Sequence, residues 1–389
     1  MDIKSIKIVD PYSTGSFHEV INAALVAIGC SLSKKVTIVM GKEAYRSLQT
    51  TIQLNNIRIT STIHYKTYRT VEGDSKIAAF IRTFIGFFIS LKEYLIGSKE
   101  ELILFNYTNQ FAFPFILIIN KLLRKNVIFT LHGELELQKE HINGIKLSKF
   151  YRFIYKICLT HLIHNSNCLL LVLGKSIRNN LLAIFPSISD YIIYITHPYF
   201  IPSSISKLND NKKMIVGTIG TLNDKKGLED ISKIIQNISD YINNNIEFHI
   251  IGRVSSTDKQ NIPLATLVNN GKPIPIDIFN EEIRKLDLII FCYPKDSYKL
   301  TASGAIMDAI VYNKPIITYH NDFFDDLMCD SPSIIYAENY EEVSATIKNI
   351  LNNTIKIEPD YSKTIEKISI PANADHLKNS LREKGLSIF

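Results

Sequence analysis

Short β-branched and aliphatic runs alternate with helix-length segments along almost the entire chain, and this alternation restricts the fold more than any other feature. Ile6–Val9 (IKIV), Val36–Met40 (VTIVM), Ile57–Thr60 (IRIT), Leu102–Phe105 (LILF), Val127–Thr130 (VIFT), Leu169–Leu173 (LLLVL) and Ile192–Ile195 (IIYI) read as strands. Helices are expected near Phe17–Ile28, Ile77–Ile96, Phe111–Leu123 and Lys146–Ile163. Strands spaced by helices of this length form βαβ units and a parallel sheet, so the fold class is α/β.

The alternation breaks between Pro198 and Lys213, where two prolines, serines and polar residues mark a linker. It then restarts with strands at Met214–Ile219, Ile246–Ile251, Leu286–Cys292, Pro315–Thr318 and Ser333–Tyr336. Helices are expected at Leu228–Tyr241, Gly304–Val311 and Tyr340–Leu351. A chain of 389 residues exceeds one ordinary core and suits two domains. The expected division is 1–200, 201–370 and a closing helix within 371–389 that crosses back onto the first domain.

Composition excludes several classes. With 46% hydrophobic and 21% charged residues, wholesale disorder is excluded. The five cysteines are scattered, odd in number and form no C-x-x-C pair, which argues against a disulfide scaffold or zinc knuckle and fits a reducing cytosol. The opening MDIKSIKIVD enters a strand without an apolar h-region, so no secretory signal peptide is expected. The most apolar long stretch, Ile77–Ile96, carries Arg82, Lys92 and Glu93, and suits a buried or surface-lying amphipathic helix better than a spanning one.

Charge is uneven. Residues 1–200 hold 23 Lys+Arg against 13 Asp+Glu, a net +10; the remainder holds 21 against 25, a net −4. A basic first half suits an anionic partner such as a phospholipid surface or a lipid diphosphate, or it is simply a solvated face. The dispersed charges form no nucleic-acid-binding motif, so no nucleic-acid partner is expected.

Ligands of open α/β sheets sit beyond the carboxyl ends of the strands, so the loops after strands are the places to look. In GTIGTLNDKKGLEDI, residues 217–231, Gly220 ends a strand and Lys225 and Lys226 precede a helix, where free amides and the dipole favour an anion. The alternative is a lysine-rich surface turn. In YKLTASGAIMDAIVYNKPIIT, residues 298–318, Ser303 at an N-cap and Gly304 after it would expose amides to phosphate oxygens, and Asp308 one turn on could accept from ribose hydroxyls. An ordinary capped helix with a solvent-facing Asp is the alternative. His132, Gly133 and Glu134 follow a strand in TLHGELE, placed to hydrogen-bond a sugar or transfer a proton, unless the histidine is structural. The first loop, DPYSTGSFHE, brings Thr14, Gly15, Ser16 and His18 to a strand end, and THPYF, residues 196–200, closes the first half.

This set of loops resembles the bacterial family 4 type glycosyltransferases, with two Rossmann-like domains facing a cleft (GT-B). The resemblance spans nearly the whole length and is sharpest over residues 214–320. Family members show Gly-Arg-Leu, three residues, then Lys-Gly; here Gly220, Thr221, Leu222, Lys226 and Gly227 align. Thr221 replaces the arginine that helps bind the donor diphosphate, with Lys225 nearby as a substitute charge. The family's paired glutamates map onto Leu300 and Asp308, and the variant Tyr-x-x-x-x-Ser-Gly run is matched by Tyr298, Ser303 and Gly304.

The resemblance implies a glycosyltransferase that moves a sugar, with retention, from a nucleotide-sugar to a glycan or lipid-diphosphate-linked acceptor in surface polysaccharide assembly. It implies His132 and Lys226 as catalytic groups. Gly15, Gly220, Thr221, Lys225, Lys226, Tyr298, Ser303, Gly304 and Asp308 would contact the donor, and Ser16, His18 and Glu134 the acceptor or sugar. Electrostatic stabilisation by Lys226 and amides implies no obligatory metal and no cofactor beyond the nucleotide-sugar substrate. A cytoplasmic protein, peripheral at the inner face of the membrane, is expected. A nucleotide-sugar epimerase and a non-catalytic binding partner of the same fold are the alternatives.

Overall fold

The computed structural model describes residues 3–15, 17–57, 59, 61–73, 75–138, 146–202, 205, 213–242, 244–255, 258, 262–272, 274–329, 331 and 333–386. The chain divides into two compact units. One comprises Met1–Phe200, Leu300–Ala302 and Lys367–Phe389; the other comprises Ile201–Lys299 and Ser303–Glu366.

The first unit runs β1 (Ser5–Asp10), α1 (Glu19–Leu32), β2 (Lys35–Gly41), α2 (Lys42–Leu54), β3 (Thr62–Tyr68), α3 (Lys76–Ile96), β4 (Glu101–Phe105), α4 (Ala112–Leu123), β5 (Asn126–Thr130), α5 (Lys146–Ile157), β6 (Cys168–Val172), α6 (Lys175–Ile184) and β7 (Ile192–Tyr194). Its seven strands are parallel, in the order β3-β2-β1-β4-β5-β6-β7. Ile8 lies beside Ile38 on one side and Leu104 on the other, so the central strands bury aliphatic side chains on both faces, as doubly covered parallel sheets require.

The second unit runs β8 (Met214–Ile219), α7 (Leu228–Asn237), β9 (Ile246–Ile251), β10 (Thr266–Leu267), α8 (Ile276–Lys285), β11 (Leu288–Phe291), α9 (Gly304–Val311), β12 (Ile316–Thr318), α10 (Asp322–Met328), β13 (Ile334–Tyr336), α11 (Tyr340–Leu351) and α12 (Ser362–Ile368). Its six parallel strands are ordered β10-β9-β8-β11-β12-β13. A closing helix, α13 (Ile370–Glu383), buries Ala374, Leu377 and Leu381 in the same core as α1 in the first unit. Ser369 caps its first turn by accepting from the Ala372 N–H.

In both sheets the strand order reverses once: between β1 and β4 in the first unit, and between β8 and β11 in the second. At such a switch point the connections leave in opposite directions and open a crevice at the carboxyl ends of the strands. The topology therefore selects two places for chemistry before any side chain is considered.

Some expected elements move. Ile57 and Ile59 are not in a strand, and Arg58 and Thr60 lie outside the described residues; the strand is β3, five residues later, at the sheet edge. TIHYKTY there is largely exposed, so it lacks the apolar run that marks the central strands. The helix expected over Lys146–Ile163 is α5 followed by a π-helical turn at Cys158–Leu162. The helix expected to reach Tyr241 ends at Asn237 and passes into a 3-10 turn, Ser239–Tyr241.

Candidate functional site

At the second unit's switch point, the loops after β8, β9 and β11 pack so closely that side chains are excluded. Gly227 has φ +77, and a Cβ there would lie 2.0 Å from the Cys292 carbonyl oxygen. A Cβ on Gly252 would lie 1.8 Å from the carbonyl oxygen of Gly220. Only glycine accommodates both approaches. The result positions Lys226, which ends the 3-10 turn Asp224–Lys226 just before α7.

The Lys226 ammonium stands over two aromatic faces, 5.3 Å from the centre of the Tyr293 ring and 5.6 Å from that of Tyr298. Among the described residues it has no carboxylate partner. An ammonium held by ring quadrupoles rather than a carboxylate keeps its charge available to an anion. A Cβ on Gly220 would be 3.5 Å from this ammonium and 3.3 Å from the Cβ of Ala305, so Lys226 and the first turn of α9 flank one spot. Nothing lies within 4 Å of where a Cβ on Gly304 would be. First-turn amides, a helix dipole and an ammonium around open space make this a candidate anion site.

Ser303 sits at the N-cap position of α9, but its side chain does not cap the helix, contrary to the sequence-based expectation. Its buried hydroxyl lies 3.3 Å from the hydroxyl of the buried Tyr293. Burial pushes the Tyr293 phenol well up, with the Asp308 charge adding to the shift, so the phenol stays protonated. Asp308 is half-buried on α9; burial, and then the Asp308 charge, raise the Tyr312 phenol. Thr221 and Lys225 are exposed. Leu300 is buried and apolar.

At the first unit's switch point, Asp10 ends β1 and is fully buried. Its carboxylate accepts from the backbone N–H groups of Tyr12 at 3.0 Å and Ser13 at 2.8 Å, and so folds the following loop back. Asn106, just after β4, donates to the side chains of Asp10 and Asn22. The His132 ring follows β5, with Nε2 2.6 Å from the Asn106 carbonyl oxygen. A carbonyl only accepts, so Nε2 carries a hydrogen and donates to it.

His18 lies 4.6 Å from His132 between ring centres and adopts φ +61. Burial, then the neighbouring His132 and His197, hold its pKa well below the usual value. Burial, then His132, lowers His197 to about 4. Both rings are therefore neutral near pH 7. Among the described residues, Ser13 Oγ, Thr14 Oγ1, His18 Nδ1, Asn106 Oδ1 and His197 Nδ1 are buried without a hydrogen-bond partner, a concentration of unmet polar atoms that native interiors rarely tolerate. A polyhydroxylated ligand would satisfy them.

The structure thus gathers Gly220, Lys226, Tyr298, Ser303 and Gly304 in one unit, and His18 and His132 in the other. Gly15, φ +51, lies on the loop after β1 with open space around it. Glu134 is turned inward: its Oε1 accepts from the His132 backbone N–H at 3.0 Å and contacts the Tyr155 hydroxyl at 3.5 Å. Ser16 lies outside the described residues. Sequence reasoning missed Asp10, Asn106 and Tyr293. Asp10 ends β1, Asn106 directly follows β4 and Tyr293 lies two residues past β11, but nothing in the local sequence names the partners that bring each into the site.

No protein-family model matches the chain, and no curated protein matches it. Solved structures do. HepE of Anabaena, in complex with UDP, superposes with a TM-score of 0.65 at 12% identity, covering 98% of this chain and 100% of HepE. Sucrose-phosphate synthase from Thermosynechococcus elongatus gives 0.66 at 12% identity, covering 98% of each chain. The apo lipopolysaccharide outer core galactosyltransferase WaaB gives 0.61 at 12% identity, covering 98% of this chain and 99% of WaaB. At this identity the likeness is one of fold.

Proposed function

From the GT-B fold that the chain shares with these glycosyltransferases, we propose that it transfers a sugar from a nucleoside-diphosphate sugar to a hydroxyl of a glycan or lipid-diphosphate-linked acceptor, with retention, in surface polysaccharide assembly. The observation that carries this reading is the Lys226 ammonium beside the first turn of α9. As the bond from the anomeric carbon to the diphosphate breaks, charge builds on the departing oxygen. Lys226 and the α9 amides meet that charge without reorganising, and no metal is required for this step.

His132 and His18 line the sugar side of the reaction in this reading. Nδ1 of His132, fixed by the Asn106 carbonyl, accepts from a sugar hydroxyl. UDP is bound by HepE and is the first nucleotide to test here. A lipid-linked acceptor carries the reading to a peripheral position at the inner face of the cell membrane.

The exposed Thr221 and the buried Leu300 favour one second reading, a non-catalytic partner that keeps the fold and the anion site. Incubating the protein with UDP-, GDP- and ADP-sugars, together with a lipid extract as acceptor, and measuring free nucleotide separates the two. Nucleotide release that depends on acceptor establishes transfer. Release without any acceptor product points to an epimerase or hydrolase, and binding without release to the non-catalytic partner.

A further inference from the structure

The outer faces of α3, α4 and α5 are apolar where a water-exposed surface would be polar. On α3, Ile77, Phe80, Phe84 and Phe88 recur at helical spacing and are exposed, Ile77 by 74%. On α4, Phe115 and Leu122 are exposed, Leu122 by 84%. Phe150 and Phe153 of α5 are exposed as well.

Ring contacts join these faces into one strip: Phe84 to Phe88 at 5.1 Å, Phe87 to Phe115 at 5.7 Å, and Phe111 to Phe150 at 6.4 Å. A contiguous patch of this extent on a folded unit marks an interaction surface.

Charge identifies the occupant. The three helices contain one acidic residue, Glu93, and it is buried against Lys7 and Lys66. Their cations Lys76, Lys92, Lys149 and Lys156 are exposed, and Lys121 is half-buried. A strip of aromatic rings edged by cations of a single sign repels a second copy of itself and is complementary to an anionic surface with an apolar interior. No helix among the described residues is long and apolar enough to cross a membrane, so these helices would lie on a bilayer rather than span it.

We propose that α3, α4 and α5 form a docking face that rests on anionic phospholipid, with aromatic rings in the acyl boundary and lysines at the headgroups. The buried side of α3, opposite the exposed strip, packs on the loop after β1. A Cβ on Gly86 of α3 would lie 2.5 Å from the Pro11 carbonyl oxygen, Arg82 lies 5.2 Å from the Tyr12 ring, and the Asn109 side chain donates to the Thr83 carbonyl at 2.8 Å. α3 would thus hold the loop after β1 one helix thickness from the leaflet that carries a lipid-linked acceptor. This last consequence rests on the glycosyl-transfer reading; the docking itself does not.

The test is co-sedimentation of the full chain with phosphatidylcholine vesicles and with vesicles of phosphatidylcholine and phosphatidylglycerol, with UDP binding measured in parallel. Binding to the anionic vesicles alone is expected. Neutralising Lys121, Lys149 and Lys156 to Gln should weaken it about fivefold per lysine, roughly a hundredfold together. Phe84→Ser with Leu122→Ser should weaken it roughly tenfold or more, and both sets should leave UDP binding and thermal stability unchanged.

Equal partition to neutral and anionic vesicles, no partition to either, or variants that partition like the parent protein would overturn the proposal. So would a dimer in solution that Leu122→Ser dissociates, since a second copy would then own the face. Lost vesicle binding with intact UDP binding defeats the docking face alone. The converse defeats the nucleotide site alone.

Discussion

The Lys226 ammonium lies 5.3 Å from the centre of the Tyr293 ring, and the hydroxyl of that same tyrosine meets Ser303 at the start of α9. One aromatic side chain therefore links the cation and the helix terminus that flank the candidate anion site. Position 221 is an exposed threonine, and Lys226 stands over the faces of Tyr293 and Tyr298.

Removing that charge tests its role. Lys226→Ala is expected to lower kcat/KM by about 10²-fold or more, because the lost contact is strongest with the departing diphosphate. The melting temperature should hardly change, since Lys226 is half-exposed and outside the core. Steady-state kinetics beside thermal unfolding checks both.

Tyr293 is predicted to act through Lys226. Tyr293→Phe keeps the ring and loses the hydroxyl contact to Ser303, so nucleotide affinity should fall little. Tyr293→Leu removes the quadrupole, and affinity should fall about 3- to 30-fold. Calorimetric titration of the two variants reads the difference, and equal losses in Phe and Leu would show that the hydroxyl, not the ring, matters.

Two glycines should behave oppositely. Gly227→Ala forces a side chain into φ +77 against the Cys292 carbonyl, at an expected cost of at least about 2 kcal/mol. Gly304→Ala meets open space on a helix, so the fold should be retained while the new methyl group enters the anion site and weakens nucleotide binding. Unfolding curves and nucleotide titrations on both variants separate the two effects.

The histidines predict acid sensitivity. His197 is held at about 4 in the folded protein, below its ordinary value near 6.5, so between these values the unfolded chain binds the extra proton. Its contribution is intact above pH 6.5 and is lost as pH falls toward 4. His18, also lowered, acts in the same direction. The melting temperature should drop across that window, and His197→Gln should flatten the drop by about 1–3 kcal/mol. A parallel profile in the variant would assign the acid sensitivity elsewhere.

The sheets were legible because their central strands are continuous aliphatic runs buried on both faces. β3 was misplaced because TIHYKTY is an exposed edge strand with no apolar run, and β10 is only two residues long. Lys226, Ser303 and His132 were legible as chemically distinctive residues beside a strand end. Asp10 and Asn106 were not, since they are recognised by each other across 96 positions of chain, and no local pattern records that pairing. The Ser303 hydroxyl was assigned to the helix cap because nothing local announces Tyr293 ten residues earlier as its partner.

The most direct test of the anion site is calorimetric titration of UDP into the parent protein and Lys226→Ala at matched pH and salt. The account predicts saturable binding to the parent protein, weakened at least about tenfold by loss of the charge, with both proteins folded. Equal affinity in the two would contradict it, because the diphosphate would then be held without the ammonium that the glycine turns and tyrosine faces position.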